Sequence, residues 1–124
     1  MSDSRPAEID QFILDEIETV PHLEALLLFW NQRPREWSPE DMSSALYLPA
    51  DATRIILADL ERRELIVLTT ERSSYVYRSS ERDRIIEGLD RTYRREVVRI
   101  SNMIHSKPSA SLRAFARAFR LKKD

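Results

Sequence analysis

Apolar residues recur at spacings of three and four over most of this chain, and the places where that spacing stops mark out its elements. Ile9, Phe12, Ile13 and Ile17 form one stripe, which predicts a helix from Ile9 to about Thr19. Val20-Pro21 interrupts it, because proline cannot continue a helix but suits the first turn of the next. A second helix is expected from about Pro21 to Asn31. Its Leu23, Leu26, Leu27 and Trp30 make a wide apolar face that Leu28 and Phe29 extend almost all round, which places it near the centre of a core. Residues 33–36 are a loop.

Strong helix-start signals follow. Ser38 is a candidate N-cap, Pro39 sits at the first helical position, and Asp41 can answer Ser38 as the acid of a capping box. Trp37 and Met42 stand where a hydrophobic staple would pair them, so Trp37 is expected to be structural. This third helix ends near Tyr47, since Leu48 precedes a proline and is pushed out of helical geometry. A fourth helix is predicted over about Ala50 to Arg63, with Ile56, Leu57 and Leu60 sharing a buried face and Thr53 one turn earlier. Residues 65–70 and 75–79 are β-branched and aromatic runs of strand length, joined by a polar turn at 71–74.

Two short helices, a sharp turn and a hairpin are the order of a winged helix-turn-helix, a unit that places one helix against DNA. Ser80 then caps a long helix from about Glu81 to Ser106. Ile86, Leu89, Tyr93, Val97, Ile100 and Ile104 lie along one stripe of it. At 1.5 Å per residue, roughly 26 residues span about 39 Å, too long for a small winged domain to cover, so the stripe is read as a dimerisation seam. Packing against the first helix and the C-terminus is the alternative. Lys107-Pro108-Ser109 breaks the helix, and a last one is expected over about Ala110 to Leu121, with Leu112, Phe115 and Phe119 on an apolar stripe beside Arg113, Arg117 and Arg120. The fold class is therefore mainly α with a two-stranded β-hairpin: a winged helix-turn-helix with its N-terminal helix over residues 1–80, and a C-terminal helical extension over 81–124, expected to dimerise.

Composition narrows the function. The 124 residues suit one modest domain, and 42% hydrophobic with 33% charged residues is not a membrane protein's balance. The longest apolar run, residues 25–30, is far short of the roughly 20 residues a membrane span needs. The polar, acidic N-terminus is no secretory signal. The absence of cysteine excludes disulfides and thiol chemistry, and fits a cytoplasmic protein. One glycine, Gly88, cannot build a phosphate-cradling loop. Net charge is −1, but residues 1–24 hold seven acids against Arg5 alone, while 107–124 hold six bases against Asp124 alone. Those ends either attract each other weakly or leave a basic C-terminal patch for nucleic acid or an acidic partner.

At Ser38-Pro-Glu-Asp-Met-Ser-Ser-Ala-Leu46 (residues 38–46 in full), Leu48-Pro-Ala-Asp-Ala-Thr53 and Leu57-Ala-Asp-Leu-Glu-Arg-Arg-Glu-Leu-Ile66, the chain resembles winged-helix bacterial transcription regulators of the multiple-antibiotic-resistance (MarR) and phenolic-acid-regulator (PadR) type. Phe12-Ile13 through Ile17 and the run from Leu112 to Leu121 also resemble the opening and close of a group of small bacterial proteins. The regulator resemblance implies a recognition helix over Ala50 to about Ala58 and a wing over Arg72 to Arg78. Outward positions of that helix are then Asp51, Ala52, Arg54, Ile55 and Ala58. The DNA-facing candidates are Thr53, Arg54, Arg72, Ser73, Ser74 and Arg78, with Arg113 and Arg117 adding phosphate contacts. The kit is thin: Asp51 has the wrong charge for phosphates, Ile55 and Ala58 put apolar surface where hydrogen-bonding groups are usual, and Glu64 stands where the family has glycine.

The function this implies is a cytoplasmic, homodimeric, DNA-binding transcriptional regulator acting on double-stranded DNA. The alternative is a winged-helix module that binds a protein partner through Ile55 or the C-terminal helix. An enzyme is not expected, nor a cofactor or metal. His22 and His105 have no metal-ligand spacing, no serine has a glycine-framed elbow, and the acidic pairs lie at helix starts or on polar faces. An apolar seam between Trp30, Tyr47 and the long helix is a place an effector could sit.

Overall fold

The computed structural model describes residues 6–69 and 73–107. Along the chain run α1 (Pro6–Glu16), α2 (Val20–Asn31), α3 (Pro39–Leu46), α4 (Ala50–Arg62), β1 (Ile66–Leu68), β2 (Tyr75–Tyr77), α5 (Asp83–Arg95) and α6 (Val97–His105). The class is mainly helical with one two-stranded antiparallel sheet, Ile66 opposite Tyr77, Val67 opposite Val76 and Leu68 opposite Tyr75.

Local chemistry sets most of the boundaries. Thr19 caps α2, its hydroxyl accepting from the His22 N–H at 3.3 Å, with Pro21 in the first turn where its missing N–H is harmless. Ser38 and Asp41 close a full capping box at α3: Asp41 N–H donates to Ser38 Oγ at 3.0 Å and Ser38 N–H to the Asp41 carboxylate at 3.4 Å. Ser80 does not cap the helix as expected: Arg82 stands at the cap position and makes no side-chain cap bond. Ser80 holds the turn through Arg82 N–H at 3.0 Å, and α5 begins only at Asp83, whose carboxylate accepts from Tyr77 Oη at 2.7 Å and from Ser80 N–H at 3.0 Å. Burial would raise the Asp83 carboxyl, but these hydrogen bonds, with Ser79 Oγ and the nearby Arg33 charge, outweigh it and hold the group below the ordinary carboxylate range.

The core is built around α2. Leu23, Ala25, Leu26 and Phe29 are fully enclosed, and Ile13, Ile17, Met42, Leu57, Leu60, Leu65, Ile66, Ile86, Leu89 and Ile100 pack in the same cluster. Trp37 is buried there too, edge-on to Phe29 at 6.2 Å between ring centres. Its backbone pairs with Tyr75 through two 2.8 Å hydrogen bonds, adding an isolated bridge to the edge of the hairpin that no residue pattern foretells. Trp30 packs against Tyr77 and lies under the Arg33 guanidinium at 3.5 Å, while Tyr47 projects into solvent, so the seam expected between Trp30 and Tyr47 does not exist.

The long helix expected over 81–106 is two helices. The chain turns at Glu96 (φ −132°, ψ 47°), so that α6 folds back onto α1 and α2. Arg99 fastens the return, reaching Asp10 of α1 at 3.1 Å and Glu96 at 2.5 Å. Lys107 donates to the carbonyls of Ile13 (3.1 Å) and Ile17, a cation at the negative end of α1. The turn lets Ile86, Leu89, Ile100 and Ile104, four residues expected on a dimer seam, bury themselves within their own chain. Tyr93 is half-buried and hydrogen-bonded to Glu24 at 3.2 Å, and Val97 is exposed. The predicted helix over 110–121 lies outside the described residues.

Candidate nucleic-acid interface

The turn between α3 and α4 is fixed by short-range bonds. Tyr47 takes a left-handed backbone (φ 58°) that stops α3, Leu48 N–H reaches the Ser43 carbonyl at 3.2 Å, and Ser43 Oγ donates to the Leu48 carbonyl at 2.5 Å. Pro49 then opens α4, its carbonyl accepting from Thr53 N–H at 3.0 Å. One side of α4 is sealed: Thr53, Ile56, Leu57 and Leu60, at helical spacing, are buried. The other side, Asp51, Arg54, Ile55 and Ala58, is exposed, with Ala52 partly so. This is the side the outward pattern predicted.

Thr53 is a correction. It was expected among the DNA-facing residues, but it is fully buried and its hydroxyl donates to the Pro49 carbonyl at 3.0 Å. Its place one turn before Ile56 and Leu57 commits it to the core stripe. Arg54 is exposed and lies 3.4 Å from Glu40 of α3, also exposed, a contact across the helix-turn-helix that the sequence did not suggest. Asp51, Glu40 and Asp41 all occupy first turns of helices, where a negative charge meets the positive end of the helix dipole. Helix stability thus accounts for acids on a face where phosphates would disfavour them.

The hairpin departs from expectation in one respect. Arg78 follows the last ladder pair, its N–H bonded to the Leu65 carbonyl at 3.0 Å and its side chain 3.9 Å from Glu64. It therefore stands at the base of the wing, beside the end of α4. Arg54 is in the first turns of that helix, which at 13 residues is about 20 Å long. Arg78 and Arg54 are not brought together. Ser73 is exposed and Ser74 half-buried near the hairpin tip. Arg72, Arg113 and Arg117 lie outside the described residues. Glu64 has φ 63°, the left-handed conformation that explains why glycine is usual there.

Tyr47 was not singled out for this face. At 92% exposure it is the most solvent-exposed large apolar residue described, held out by its left-handed backbone immediately before α4. A lone aromatic before Leu-Pro gives no sequence signal for this, since the same pattern suits a buried residue.

Behind the interface, His22 of α2 ties down α4. It is buried, with Thr19 Oγ1 2.7 Å from one ring nitrogen and the Asp59 carboxylate 2.8 Å from the other. Burial would raise Asp59, but the bonds and charges of His22 and Arg62 prevail and lower it. Arg63, just past α4, binds Glu16 at 3.0 Å and Glu18 at 3.5 Å, joining the same helix to α1. Among the described residues, no group of three or more His, Cys, Asp or Glu could hold a metal ion, and no helix is long and apolar enough to cross a membrane.

An exposed second helix of a helix-turn-helix, flanked by a hairpin, defines a winged-helix fold. Solved structures share it over nearly the whole chain. A MarR family protein from Bacillus stearothermophilus matches with a TM-score of 0.54 at 19% identity, over 94% of this chain and 81% of that one. MepR, a transcription regulator of the Staphylococcus aureus multidrug efflux pump MepA, matches with a TM-score of 0.54 at 16% identity, over 94% and 85%. RV1404 from Mycobacterium tuberculosis matches with a TM-score of 0.50 at 20% identity, over 95% and 84%. No protein-family model matches the sequence, and no curated protein does. The chain has a MarR-like winged-helix fold.

Proposed function

We propose that this chain is a DNA-binding transcriptional regulator of the winged-helix type, acting in the cytoplasm as a homodimer on double-stranded DNA. The observation that carries this reading is the exposed face of α4. Asp51, Arg54, Ile55 and Ala58 face solvent on a helix anchored from behind by His22 and Arg63, so a rigid helix is offered with its outer side uncovered. MepR, which shares the fold, is a transcription regulator. Arg54 contacts a base or phosphate, and the wing, with Arg72, Ser73 and Ser74, holds the backbone. Arg78 adds to the wing's base, and Arg113 and Arg117 supply further phosphate contacts. For the dimer, Ile86, Leu89, Ile100 and Ile104 already serve their own core, so self-contact falls to the outer side of α6, where Val97 and Val98 are exposed.

A specific observation favours a second reading, a winged-helix module for a protein partner. Among the exposed charges of α3 and α4, Glu40, Asp41, Asp51 and Glu61 outnumber Arg54 and Arg62, and Ile55 is 62% exposed among them. The test is enrichment from pooled genomic DNA fragments, titrated with salt. Discrete sites bound by wild type, with affinity lost in Arg54→Ala and the log–log salt slope reduced by about one, support the regulator. No enrichment at low salt by folded protein supports the protein-binding module.

A further inference from the structure

The outward side of α4 carries an unusual set of groups. Between Asp51 and Ala58, Arg54 is the one exposed side-chain donor, Asp51 the one exposed acceptor, and the other exposed positions, Ile55 and Ala58, are apolar; Glu61 and Arg62, also exposed, lie at the far end of the helix, where Arg62 is paired with Asp59 at 2.8 Å. Ile55 lies one residue from Arg54 and one turn from Asp51 and Ala58, so it stands at the middle of the surface. It is 62% exposed, and nothing in the fold's own core uses it. In the major groove, base edges present donors and acceptors at every pair but only one apolar group, the 5-methyl of thymine. An aliphatic side chain at the centre of a recognition helix has only that group to meet. Set against guanine or cytosine, it would leave polar base edges dry and unpaired.

Resting on the DNA-binding reading above, we propose that Ile55 is a specificity-determining residue that reads thymine by its 5-methyl group. Ile55 fixes one thymine in each half-site. Arg54, a residue away, takes the neighbouring base that offers acceptors, which is guanine. Ala58 is too short to select strongly and leaves room for the methyl against Ile55. The contact with Glu40 keeps Arg54 oriented without locking it, since both side chains are solvated and 3.4 Å apart. Sequence preference thus rests on a methyl contact more than on a network of hydrogen bonds.

The experiment uses the full chain and its enriched genomic site. Each thymine of the site is replaced singly by uracil, which removes the 5-methyl and keeps base pairing. Wild type should lose about fourfold in affinity at one thymine per half-site, the effect of one buried methyl-sized group. Ile55→Ala should bind the thymine site more weakly and show no thymine-over-uracil preference at that position. Because Ile55 is outside the core, its variant should keep the wild-type unfolding temperature, which is measured alongside. If wild type binds every uracil-substituted site as well as the parent, the inference falls while the regulator reading stands. The same holds if Ile55→Ala keeps the full thymine preference. If no site is enriched at all, both fall together.

Discussion

Replacing Glu64 by glycine should make this protein more stable, although it deletes an ion pair. Glu64 adopts φ 63° in the turn from α4 to β1. For a residue with a Cβ this conformation costs roughly 1–2 kcal/mol, from the close approach of Cβ and the following carbonyl. Glycine removes that cost but adds about 0.5–1 kcal/mol of unfolded-chain freedom. The difference favours glycine by about 0.5–1 kcal/mol. The lost carboxylate offsets little, because it sits 3.9 Å from Arg78 with the two side chains 70% and 51% exposed. The backbone bonds survive: Glu64 N–H to the Glu61 carbonyl at 2.9 Å, and Arg82 to the Glu64 carbonyl at 3.3 Å. Glu64→Gly should therefore raise the midpoint of thermal unfolding by about 2–6 °C, followed by circular dichroism at one fixed protein concentration. Glu64→Ala is the control, since it removes the carboxylate and keeps the Cβ. It should stay close to wild type. A glycine variant no more stable than the alanine variant would refute the strain argument.

Leu89→Ala, in the core of α5, should cost about 2–5 kcal/mol in urea unfolding, because the cavity lies inside one chain. Val98→Asp, on the exposed side of α6, should leave the unfolding of the chain intact and lower the dimer fraction in sedimentation; a Leu89 loss that vanishes with rising protein concentration would return Leu89 to a dimer seam. Asp59 has its folded carboxyl held below its unfolded value, so the stability it contributes is present above about pH 4 and is lost as pH falls through the folded value. Asp59→Asn should lower stability at pH 7 by about 1–3 kcal/mol and flatten the acid limb of the stability curve; an unchanged acid limb would exclude Asp59 as its source. Arg33→Lys should cost about 0.5–2 kcal/mol and alter Trp30 fluorescence, because the planar guanidinium stacked on the indole cannot be copied by an ammonium.

The elements were legible where their chemistry is local. Ser38, Pro39 and Asp41 announce α3 because a capping box is closed by residues three apart, and Pro21 and Pro49 place two helix starts for the same reason. The buried side of α4 followed from spacing alone, and with it the exposed side on which the candidate interface rests. Thr53 obeys the same spacing: its period assigns it to the core, whatever its hydroxyl suggests. What stayed illegible depends on distant partners. The turn at Glu96 has no proline or glycine to mark it; it exists because α6 gains a place on α1 and α2, with Arg99 reaching Asp10. The Trp37–Tyr75 bridge is two backbone hydrogen bonds and carries no side-chain signature. Arg78 could be placed at the base of the wing only once Ile66 was seen opposite Tyr77, because ladder register is set by the packing of the two strands.

On the DNA-binding reading, the acids around Arg54 bear on affinity as well as stability. Non-specific binding to duplex DNA is almost wholly electrostatic, growing with the number of phosphates neutralised. Glu40 lies 3.4 Å from Arg54 and opposes every phosphate that approaches it, specific or not. Contacts to base edges, Ile55's among them, are made only on the right sequence. Glu40 therefore lowers non-specific affinity without touching the term that distinguishes sites. Glu40→Gln removes the charge and, as an exposed residue, should leave the fold unchanged. It should tighten binding to random duplex and to the enriched site by the same factor and steepen both salt slopes. Because both affinities move together, their ratio is kept, and occupancy of the site in the presence of excess random DNA should stay the same. If Glu40→Gln binds random duplex no better than wild type, the acid is not felt by the phosphates, and α4 does not dock on DNA by the face that carries Arg54.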